Sequence, residues 1–350
     1  MSLSVKFMDK EKKIELLQKS GLFDENQDKI QLFPLEGGVS SDIFLVSNGQ
    51  KKLVLKEALE KLRVQMDWHA DIKRNRLEHE FISFVATFDD KSVPKVLLFD
   101  DIEGFFVMEY LEGFHTWKSE LLQGILSKEY AKSAGNILGG IHRNSWNNLS
   151  LLKQFDSTDQ FVQLRIDPYL HTTGNKYPKF TDLFFNEGIR LMKNRKCLVH
   201  GDYSPKNLMV NTGRMVIIDS EVAWYGDPAF DIAFLLNHLF LKSIYNHKLA
   251  REYMDLAFTF MSSYTEALGE SKLVDILPGL GRLLLMLMIA RVDGKSPVEY
   301  LKNEDKREAI RKFVLSNLKE DFSLDPLPKI TGRWLSTIEN EEWGRNHENQ

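Results

Sequence analysis

Residues 198–231 carry the side chains whose types and spacing could do chemistry. Asp202, Asn207, Asp219 and Glu221 fall within this span, separated by two apolar runs of strand-like composition. Carboxylates and an amide that converge at the ends of paired strands are what a Mg²⁺–nucleotide phosphoryl-transfer site needs. One carboxylate would accept the proton of an acceptor hydroxyl, and the other groups would hold the metal that neutralises the phosphates.

The spacing predicts a separate role for each of these side chains. Asp202 follows a predicted strand and Asn207 comes five residues later, so a short loop can bring both to one metal–phosphate centre. Asp202 would orient or deprotonate the hydroxyl, and Asn207 would hold Mg²⁺ through its amide oxygen. Asp219 closes a strand and Glu221 follows by two, so both can lie near the same cation. Taken singly, each acid is equally explained as a turn residue.

Two flanking residues are interpreted as structural. His200 is expected to be hydrogen-bonded rather than to act as a base. Asp231 begins a long apolar helix, where the simplest interpretation is a helix N-cap. We expect a structural role for Asp231, which could also brace the Asp202 loop.

Length and composition bound the class of protein. A chain of 350 residues is long for one core, so two lobes are expected. A net charge of −4 offers no footprint for nucleic acid. The single cysteine, Cys197, rules out an internal disulfide and fits a reducing compartment. The N-terminus lacks the apolar core of a signal peptide, and no apolar run could span a bilayer, so we expect a cytoplasmic protein without a membrane partner.

Hydrophobic periodicity predicts an α+β protein of two parts. The first part alternates strands, at 30–35, 43–46, 53–56, 95–99 and 105–110, with one helix over 77–88 after an N-terminal helix over 8–20. A small antiparallel sheet with one packed helix is expected, giving a lobe over residues 1–111. The second lobe, over residues 112–350, is predicted to be mostly helical, with helices at 119–142, 182–193, 232–244, 247–268, 279–291 and 303–318. Its polar tail from residue 332, with Trp334 and Trp343, is expected on the surface.

Two glycines lie between the first strands and could form a phosphate-binding turn. Glycine lets backbone N–H groups approach phosphates closely. Gly37, Gly38 and Ser40 are therefore candidates for nucleotide binding. A plain turn explains them at least as well.

The rest of the first lobe offers a cation and a linker. Lys56 closes an apolar strand and is either a solvated residue at the strand end or an ammonium that contacts nucleotide phosphates. A helix carboxylate would hold it; Glu78 is favoured over Glu80, although the helical wheel separates them weakly. Glu109 and Leu111, in the linker between the lobes, could offer backbone groups to the adenine edge.

This order of elements resembles the aminoglycoside phosphotransferase/choline kinase superfamily, which has a bilobal protein-kinase-like fold. The matching pieces are GGVSSDIFLV, VLK, MEYLEG, HGDYSPKN and IDSEVAWYGDPAFDIA. The resemblance implies ATP and Mg²⁺ as cofactors. It makes Asp202 the catalytic base, Asn207 and Asp219 the Mg²⁺ ligands, Lys56 a contact to the ATP phosphates and Asp231 structural.

Within that superfamily, the second metal motif is similar to that of the methylthioribose kinases. Asp219 and Glu221 fill the Asp-x-Glu positions of that branch. The resemblance implies a small-molecule acceptor, phosphorylated on a hydroxyl of a sugar or sugar-like metabolite, and by analogy a homodimer. The chain departs from the branch after HGD, where Asn207 stands in place of serine, so the acceptor stays open.

Further residues could contact the acceptor. Trp224 could stack on a sugar face or be a core aromatic. At residues 290–301 a helix C-cap, with Gly294 in the left-handed conformation, is an equal alternative to substrate binding. The late arginines of the methylthioribose kinases favour Arg291 as a contact. Asp293 and Lys295 are further candidates in this segment, and Arg165 and Asp167 are candidates on a polar stretch over residues 164–170, just before the Asp202 loop.

Other functions fit the sequence less well. An aminoglycoside kinase would need an acidic cleft, whereas the suspected substrate segments mix cations with acids. Choline or ethanolamine would need an aromatic cage, of which there is no clear sign. A pseudokinase would have lost a key residue, and none is lost. A protein kinase would need an activation segment, and only a short turn separates Asp219 from Asp231.

Overall fold

The chain divides into two units, Met1–Phe114 and His115–Gln350. The structure, a computed structural model, describes residues 10–23, 29–35, 41–58 and 74–341. Three of the predicted nucleotide-binding residues, Gly37, Gly38 and Ser40, lie outside these ranges, as does Trp343. Within them, no helix is both long and apolar enough to cross a bilayer.

The N-terminal unit is built on a five-stranded antiparallel sheet of order β1-β2-β3-β5-β4. Its apolar core includes Leu17, Val46, Leu55 and Val107, so the first helix packs on the sheet together with residues of three strands. The second helix buries Phe81 and Val85 of its predicted apolar face, whereas Phe88 lies beyond the helix and is exposed. The elements are α1 (Lys10–Lys19), β1 (Gln31–Pro34), β2 (Ser41–Ser47), β3 (Lys52–Ala58), α2 (Arg74–Ala86), β4 (Val96–Asp100) and β5 (Phe105–Glu109).

The C-terminal unit is mostly helical and has two small sheets, one pairing β7 with β10 and one of order β6-β8-β9. With the first unit it gives the α+β fold class that the sequence predicts. Its strands are β6 (His115–Thr116), β7 (Cys197–Val199), β8 (Leu208–Asn211), β9 (Arg214–Ile217) and β10 (Trp224–Gly226). Its helices are α3 (Trp117–Leu122), α4 (Lys128–Ser145), α5 (Leu149–Gln154), α6 (Thr158–Phe161), a π-helix (Val162–His171), α7 (Thr172–Lys176), α8 (Thr181–Lys193), α9 (Ala229–Tyr245), a 3₁₀ turn (His247–Leu249), α10 (Ala250–Leu268), α11 (Glu270–Leu273), α12 (Leu277–Asp293), α13 (Glu304–Asn317) and α14 (Pro326–Asn340).

Helix α9 is the centre of this unit. Every residue from 229 to 244 is buried, as expected for a helix whose sequence is apolar on all sides. Helices α10 and α12 pack against it, and α4 packs on α10. Polar side chains on α9 therefore lie in the interior of the unit.

Three segments differ from the sequence prediction. The single helix predicted over 119–142 is two helices, because Gly124 ends α3 in the left-handed conformation and Ser127 caps α4. Residues 164–170, expected as a polar stretch, lie in the π-helix, where Pro168 supplies no N–H. The tail up to residue 340 belongs to α14, which buries one face and leaves the other exposed, and the buried Trp334 donates to Ser243 Oγ at 2.8 Å instead of lying on the surface.

The close packing of α4 on α10 gives a stability test. A Cβ on Gly139 would lie 2.6 Å from the Tyr264 carbonyl oxygen and 2.7 Å from Ala267 Cβ, whereas a Cβ on Gly332 of α14 would meet nothing within 4 Å. We expect Gly139→Ala to lower the free energy of unfolding by about 1–3 kcal/mol through overpacking. The matched Gly332→Ala should raise it by about 0.5–1 kcal/mol through helix propensity. Denaturant unfolding measures both, and equal effects would contradict the close approach of the helices.

Candidate active site

The carboxylate of Asp231 holds the backbone that leads into Asp202. It accepts the N–H of His200 at 2.7 Å and the N–H of Gly201 at 2.9 Å, and it is fully buried. Helix α9 begins at Ala229 with Pro228 at the N-cap, so Asp231 lies inside the first turn and is not the N-cap. Its two oxygens are used on a distant turn instead of on its own helix end.

His200 links the two halves of the motif region. Its Nδ1 accepts the N–H of Asp202 at 3.2 Å, which leaves Nε2 to donate to the carbonyl of Ile218, also at 3.2 Å. Burial lowers the pKa of His200 and outweighs the nearby carboxylates, so the ring is neutral. This is the hydrogen-bonded structural histidine that the sequence favours.

Asp202 lies in a buried, positively charged environment. Its Oδ2 is 3.0 Å from Lys206 Nζ and 3.2 Å from Arg165 Nη2. Burial acts to raise the pKa of Asp202, but the charges of Lys206 and Arg165 outweigh it, so that pKa lies below its ordinary value. The carboxylate is therefore ionised at neutral pH and able to accept a hydrogen bond from a hydroxyl group.

Asn207 and Asp219 are held next to this loop. The Asn207 amide donates through Nδ2 to the backbone carbonyl of Asp202 at 3.0 Å, which leaves the amide oxygen as an acceptor. The Asn207 backbone carbonyl accepts the N–H of Ile218 at 3.0 Å, directly before Asp219. Asp219 has a φ of 64°, a conformation that Asp tolerates better than most residues. Its charge acts on the pKa of Asp202, so the two carboxylates lie within electrostatic range.

These donors suit a hard divalent cation. Mg²⁺ is usually held by one or two carboxylates together with phosphates and water, not by a full protein cage. Asn207 and Asp219 offer such oxygens, and Glu221, which is buried, follows two residues later. In the described ranges no group of three or more His, Cys, Asp or Glu side chains could hold a metal ion by itself. The fit is therefore to a metal that shares its shell with phosphate oxygens.

The N-terminal unit contains a buried ion pair. Lys56 Nζ on β3 lies 2.7 Å from one carboxylate oxygen of Glu78 on α2 and 3.0 Å from the other. Both side chains are almost fully buried, so Lys56 is not a solvated residue at the strand end. Glu80 pairs instead with Arg76 at 3.0 Å. The structure thus selects Glu78 over Glu80 as the partner of Lys56.

The predicted linker begins at the end of β5. The N–H of Glu109 donates to the carbonyl of Lys95 at 2.9 Å, and the Glu109 side chain accepts the N–H of Lys95 at 3.0 Å. Leu111 lies beyond the strand, and its carbonyl accepts the N–H of Phe114 at 3.3 Å. The backbone N–H of Glu109 is therefore already hydrogen-bonded to the segment that leads into β4.

The predicted acceptor contacts are dispersed. Arg165 contacts the loop that carries Asp202, donating to the Gly201 carbonyl as well as pairing with Asp202. Asp167 pairs with His171 at 2.7 Å on the exposed side of the π-helix. Trp224 is fully buried, stacked on Phe161 with 4.3 Å between ring centroids, so it is a core aromatic and does not offer a face to a sugar.

The end of α12 and the residues after it mainly make packing contacts. Asp293 is tied to Arg311 by two contacts of 2.8 Å and accepts the Tyr177 hydroxyl at 2.5 Å, so it serves the packing of helices. The backbone N–H of Lys295 donates to the carbonyl oxygen of Pro168 at 3.3 Å. Gly294 has a φ of −73°, so the left-handed cap is not formed. Arg291 donates to the Ser296 carbonyl at 2.5 Å and also lines a cavity.

This cavity lies beside Asp202 within the C-terminal unit and has a volume of about 110 Å³. Its wall includes one face of α9, since Phe234, His238 and Lys242 line it and are spaced by four residues. Cationic side chains dominate its polar lining. The lining residues with ionisable side chains are Lys118, Tyr169, Asp202, Lys206, His238, Lys242, Arg291, Glu299 and Tyr300.

Several of these residues were missed by sequence reasoning, and three of them left a signal. Lys206 stands four residues after Asp202 in the HGDYSPKN motif. His238 and Lys242 interrupt a helix that is largely apolar on all sides, so both have to be buried. Lys118 left none, because nothing local separates it from a solvated residue.

The family of the chain follows from a comparison with known proteins. Residues 32–258 match the model of the phosphotransferase enzyme family abbreviated APH. This match covers more than half of the chain, and it includes Lys56 and all of the motifs between Asp202 and Asp231. The chain belongs to this phosphotransferase family.

The curated relatives include methylthioribose kinases. The chain is 26% identical over 219 residues to the methylthioribose kinase of Yersinia pseudotuberculosis serotype O:3, covering 55% of this chain and 54% of that protein. It is 26% identical over 222 residues to the methylthioribose kinase of Pectobacterium atrosepticum, covering 55% of each. The chain therefore spans about half the length of the curated relatives it matches.

Solved structures share the fold. An amicoumacin kinase in complex with AMP-PNP and Ca²⁺ matches with a TM-score of 0.55 at 16% identity, over 92% of this chain and 100% of that one. A choline/ethanolamine kinase family protein from Mesorhizobium loti matches with a TM-score of 0.51 at 14% identity, over 93% and 98%. These likenesses confirm the kinase-like α+β fold that the sequence resemblance implies.

The buried Lys242 gives a prediction with a defined pH dependence. Burial, together with the charges of Lys118 and Arg291, lowers its pKa from the ordinary 10.5 to about 7. The folded state thus binds this proton more weakly than the unfolded state does, and this lowers the free energy of unfolding. The loss of stability is complete below pH 7, where both states are protonated, and it disappears as the pH rises to 10.5. We expect Lys242→Met to have a higher free energy of unfolding than the wild type at pH 6, by roughly a few kcal/mol.

Chemical denaturation at pH 6 and at pH 10 measures this difference. The stabilisation should shrink at pH 10, where the lysine is neutral in the folded state. The exposed Lys248, six residues away, is the matched control, and Lys248→Met should change stability little at either pH. A Lys242→Met variant that is less stable than the wild type at pH 6 would contradict the unpaired buried cation.

Proposed function

We propose that this protein transfers the γ-phosphoryl group of ATP to a hydroxyl of a small molecule, in a Mg²⁺-dependent reaction. The observation that carries the proposal is the hydrogen-bonded sequence Asp202–Asn207–Ile218, which ends next to Asp219. It brings a carboxylate suited to a hydroxyl proton together with oxygen donors suited to a metal–phosphate complex. The membership of the phosphotransferase family supports the same reaction.

Asp202 would act on the acceptor hydroxyl. Phosphoryl transfer proceeds through a loose transition state, so catalysis rests on positioning and electrostatics more than on a strong base. An ionised Asp202 held by Arg165 and Lys206 can orient the hydroxyl and take its proton as the new bond forms. In this proposal Arg165 is a positioning residue that acts through Asp202.

The remaining motif residues would bind the nucleotide complex. Asn207 and Asp219 would hold Mg²⁺, with Glu221 as a third donor, and a bound Mg²⁺ neutralises charge on the phosphates. Lys56, kept in place by Glu78, would contact the α- and β-phosphates. Backbone groups from Glu109 to Leu111 that are not already hydrogen-bonded, together with Gly37, Gly38 and Ser40, would complete the nucleotide contacts.

A sugar or sugar-like metabolite is the acceptor class that we favour. The relatives that include methylthioribose kinases support it, over the half of their length that the chain spans. An aminoglycoside or choline-type acceptor is disfavoured, because the cavity beside Asp202 is lined by Lys118, Lys242 and Arg291, which repel a cation.

The role of Asp202 is tested by an amide replacement. Asp202→Asn removes the proton acceptor but keeps the size of the side chain, so we expect kcat to fall by about 10²-fold or more. Binding of Mg²⁺–ATP should persist, measured by calorimetry on the same preparation. The control is Asp255→Asn, an exposed carboxylate paired with Lys128 at 3.2 Å, which should retain full turnover. Retained turnover in Asp202→Asn would rule out this assignment.

The metal role of Asp219 is tested by binding alone. Asparagine tolerates the left-handed backbone at this position, so Asp219→Asn should fold normally. We expect it to weaken ATP binding in the presence of Mg²⁺ by about tenfold or more, and to change it little in the presence of EDTA. Equal Mg²⁺-dependent affinities for the variant and the wild type would contradict the metal assignment.

A further inference from the structure

The cavity beside Asp202 contains more positive charge than its own carboxylates balance. Two of its cations are paired: Lys118 with Glu299, and Lys206 with Asp202. Arg291 donates to Ser296 and to the Tyr169 hydroxyl, which are neutral. Lys242 is the fourth cation of the lining, so the described lining has four Lys or Arg side chains against two carboxylates.

Lys242 is the least compensated of these groups. Its side chain is almost fully buried, yet among the described residues it has no hydrogen-bond acceptor and no ion pair; the charge of Glu299 acts on it, but Glu299 is hydrogen-bonded to Lys118. Among the described residues it makes a cation–π contact with the Tyr300 ring, with 4.8 Å between Lys242 Nζ and the ring centroid. A buried ammonium group in this state is costly, and proteins usually pair such a charge or use it.

Two further polar groups at the cavity lack a partner. His238 Nδ1 and the Tyr300 hydroxyl are buried and make no hydrogen bond within the described chain. Burial, with the surrounding lysines and Arg291, lowers the pKa of His238 well below its ordinary range, so the ring is neutral. A neutral imidazole and a phenol can donate hydrogen bonds to an anion without adding a charge.

We propose that the acceptor carries an anionic group, a phosphate or a carboxylate, which binds in this cavity between Lys242 and Arg291. This inference rests on the proposed function and specifies its acceptor. The anion would supply the partner that Lys242 lacks, and a hydroxyl elsewhere on the same molecule would reach Asp202, which lines the same cavity. The cavity of about 110 Å³ has room for such a group, since one water needs about 10–15 Å³.

The electrostatics disfavour the other acceptor charges. A cationic acceptor would be placed against Lys118, Lys242 and Arg291 in a partly desolvated space, where like charges repel strongly. A neutral sugar would leave the Lys242 ammonium without a counter-charge. An anion is the ligand class for which each of these groups contributes favourably.

Binding of inorganic phosphate is the first test. We expect saturable binding to the wild-type protein without nucleotide, and at least a tenfold loss of affinity in Lys242→Met, measured by calorimetry. Lys248→Met, an exposed lysine outside the cavity, should bind phosphate as the wild type does. The folded state of each variant is checked by its thermal transition. Absent phosphate binding, or equal binding in Lys242→Met, would overturn the inference, and loss in Lys248→Met as well would show an adventitious ion only.

Matched acceptors give the second test. ATP consumption is compared between ribose and ribose 5-phosphate, and between glucose and gluconate. We expect kcat/KM to be at least tenfold higher for the anionic member of a pair, and Lys242→Met to reduce that preference mainly through KM. The two pairs also separate phosphate from carboxylate as the favoured group.

The outcomes separate this inference from the proposed function. Turnover that prefers the neutral member of each pair would leave the kinase assignment intact and overturn the anionic acceptor. A Lys242→Met variant with an equal loss of kcat on neutral and anionic acceptors would mean that Lys242 serves the transferred phosphoryl group instead. Phosphate binding that depends on Lys242, in a protein that phosphorylates none of the acceptors, would contradict the proposed function while supporting the anion site.

Discussion

The two hydrogen bonds from the backbone of His200 and Gly201 to the buried carboxylate of Asp231 are the contact on which the candidate site depends. A buried carboxylate without donors is strongly unfavourable, so this pairing is enforced by the burial of α9. Gly201 has a φ of 77°, and an added Cβ would meet the Val222 carbonyl oxygen. Glycine is therefore required at this position for the turn that presents Asp202.

Helix α9 connects this turn to the cavity. Asp231 and Lys242 are eleven residues apart, about three helical turns, and so lie on the same side of the helix with His238 between them. One end of this face stabilises the Asp202 loop and the other end lines the space beside it. The position of the proposed base and the charge of its surroundings are thus set by the same rigid element.

Several features of this region are locally unfavourable. Lys242 is buried without a partner, Asp219 has a positive φ, and Arg165 comes from a π-helix that contains Pro168. Each costs stability, and such costs are commonly concentrated where a protein binds or reacts. Positive φ also occurs at Asn147 and Asp325, but the three features occur together only near Asp202 among the residues that the structure describes, which supports a functional origin.

Local sequence was sufficient for the α+β class and for most of the helices, and it predicted that Asp202, Asn207 and Asp219 lie close together. Their contacts are short in sequence, so spacing alone predicts them. The prediction from local sequence was wrong at residues 164–170 and in the tail, where long-range packing overrides the local pattern. The sequence around an aromatic residue such as Trp224 does not distinguish a core position from a position at a binding site.

The sequence by itself indicated which side chains are suited to binding a phosphate and a metal, because the loop and the hairpin that carry them are local structures. Only the tertiary structure decided what surrounds Asp202. Lys118, Lys242 and Arg291 come from three helices far apart in the chain, and their charges add up only where those helices meet. Electrostatic energy depends on distance in space and on burial, and neither quantity is written in the spacing of residues along the chain.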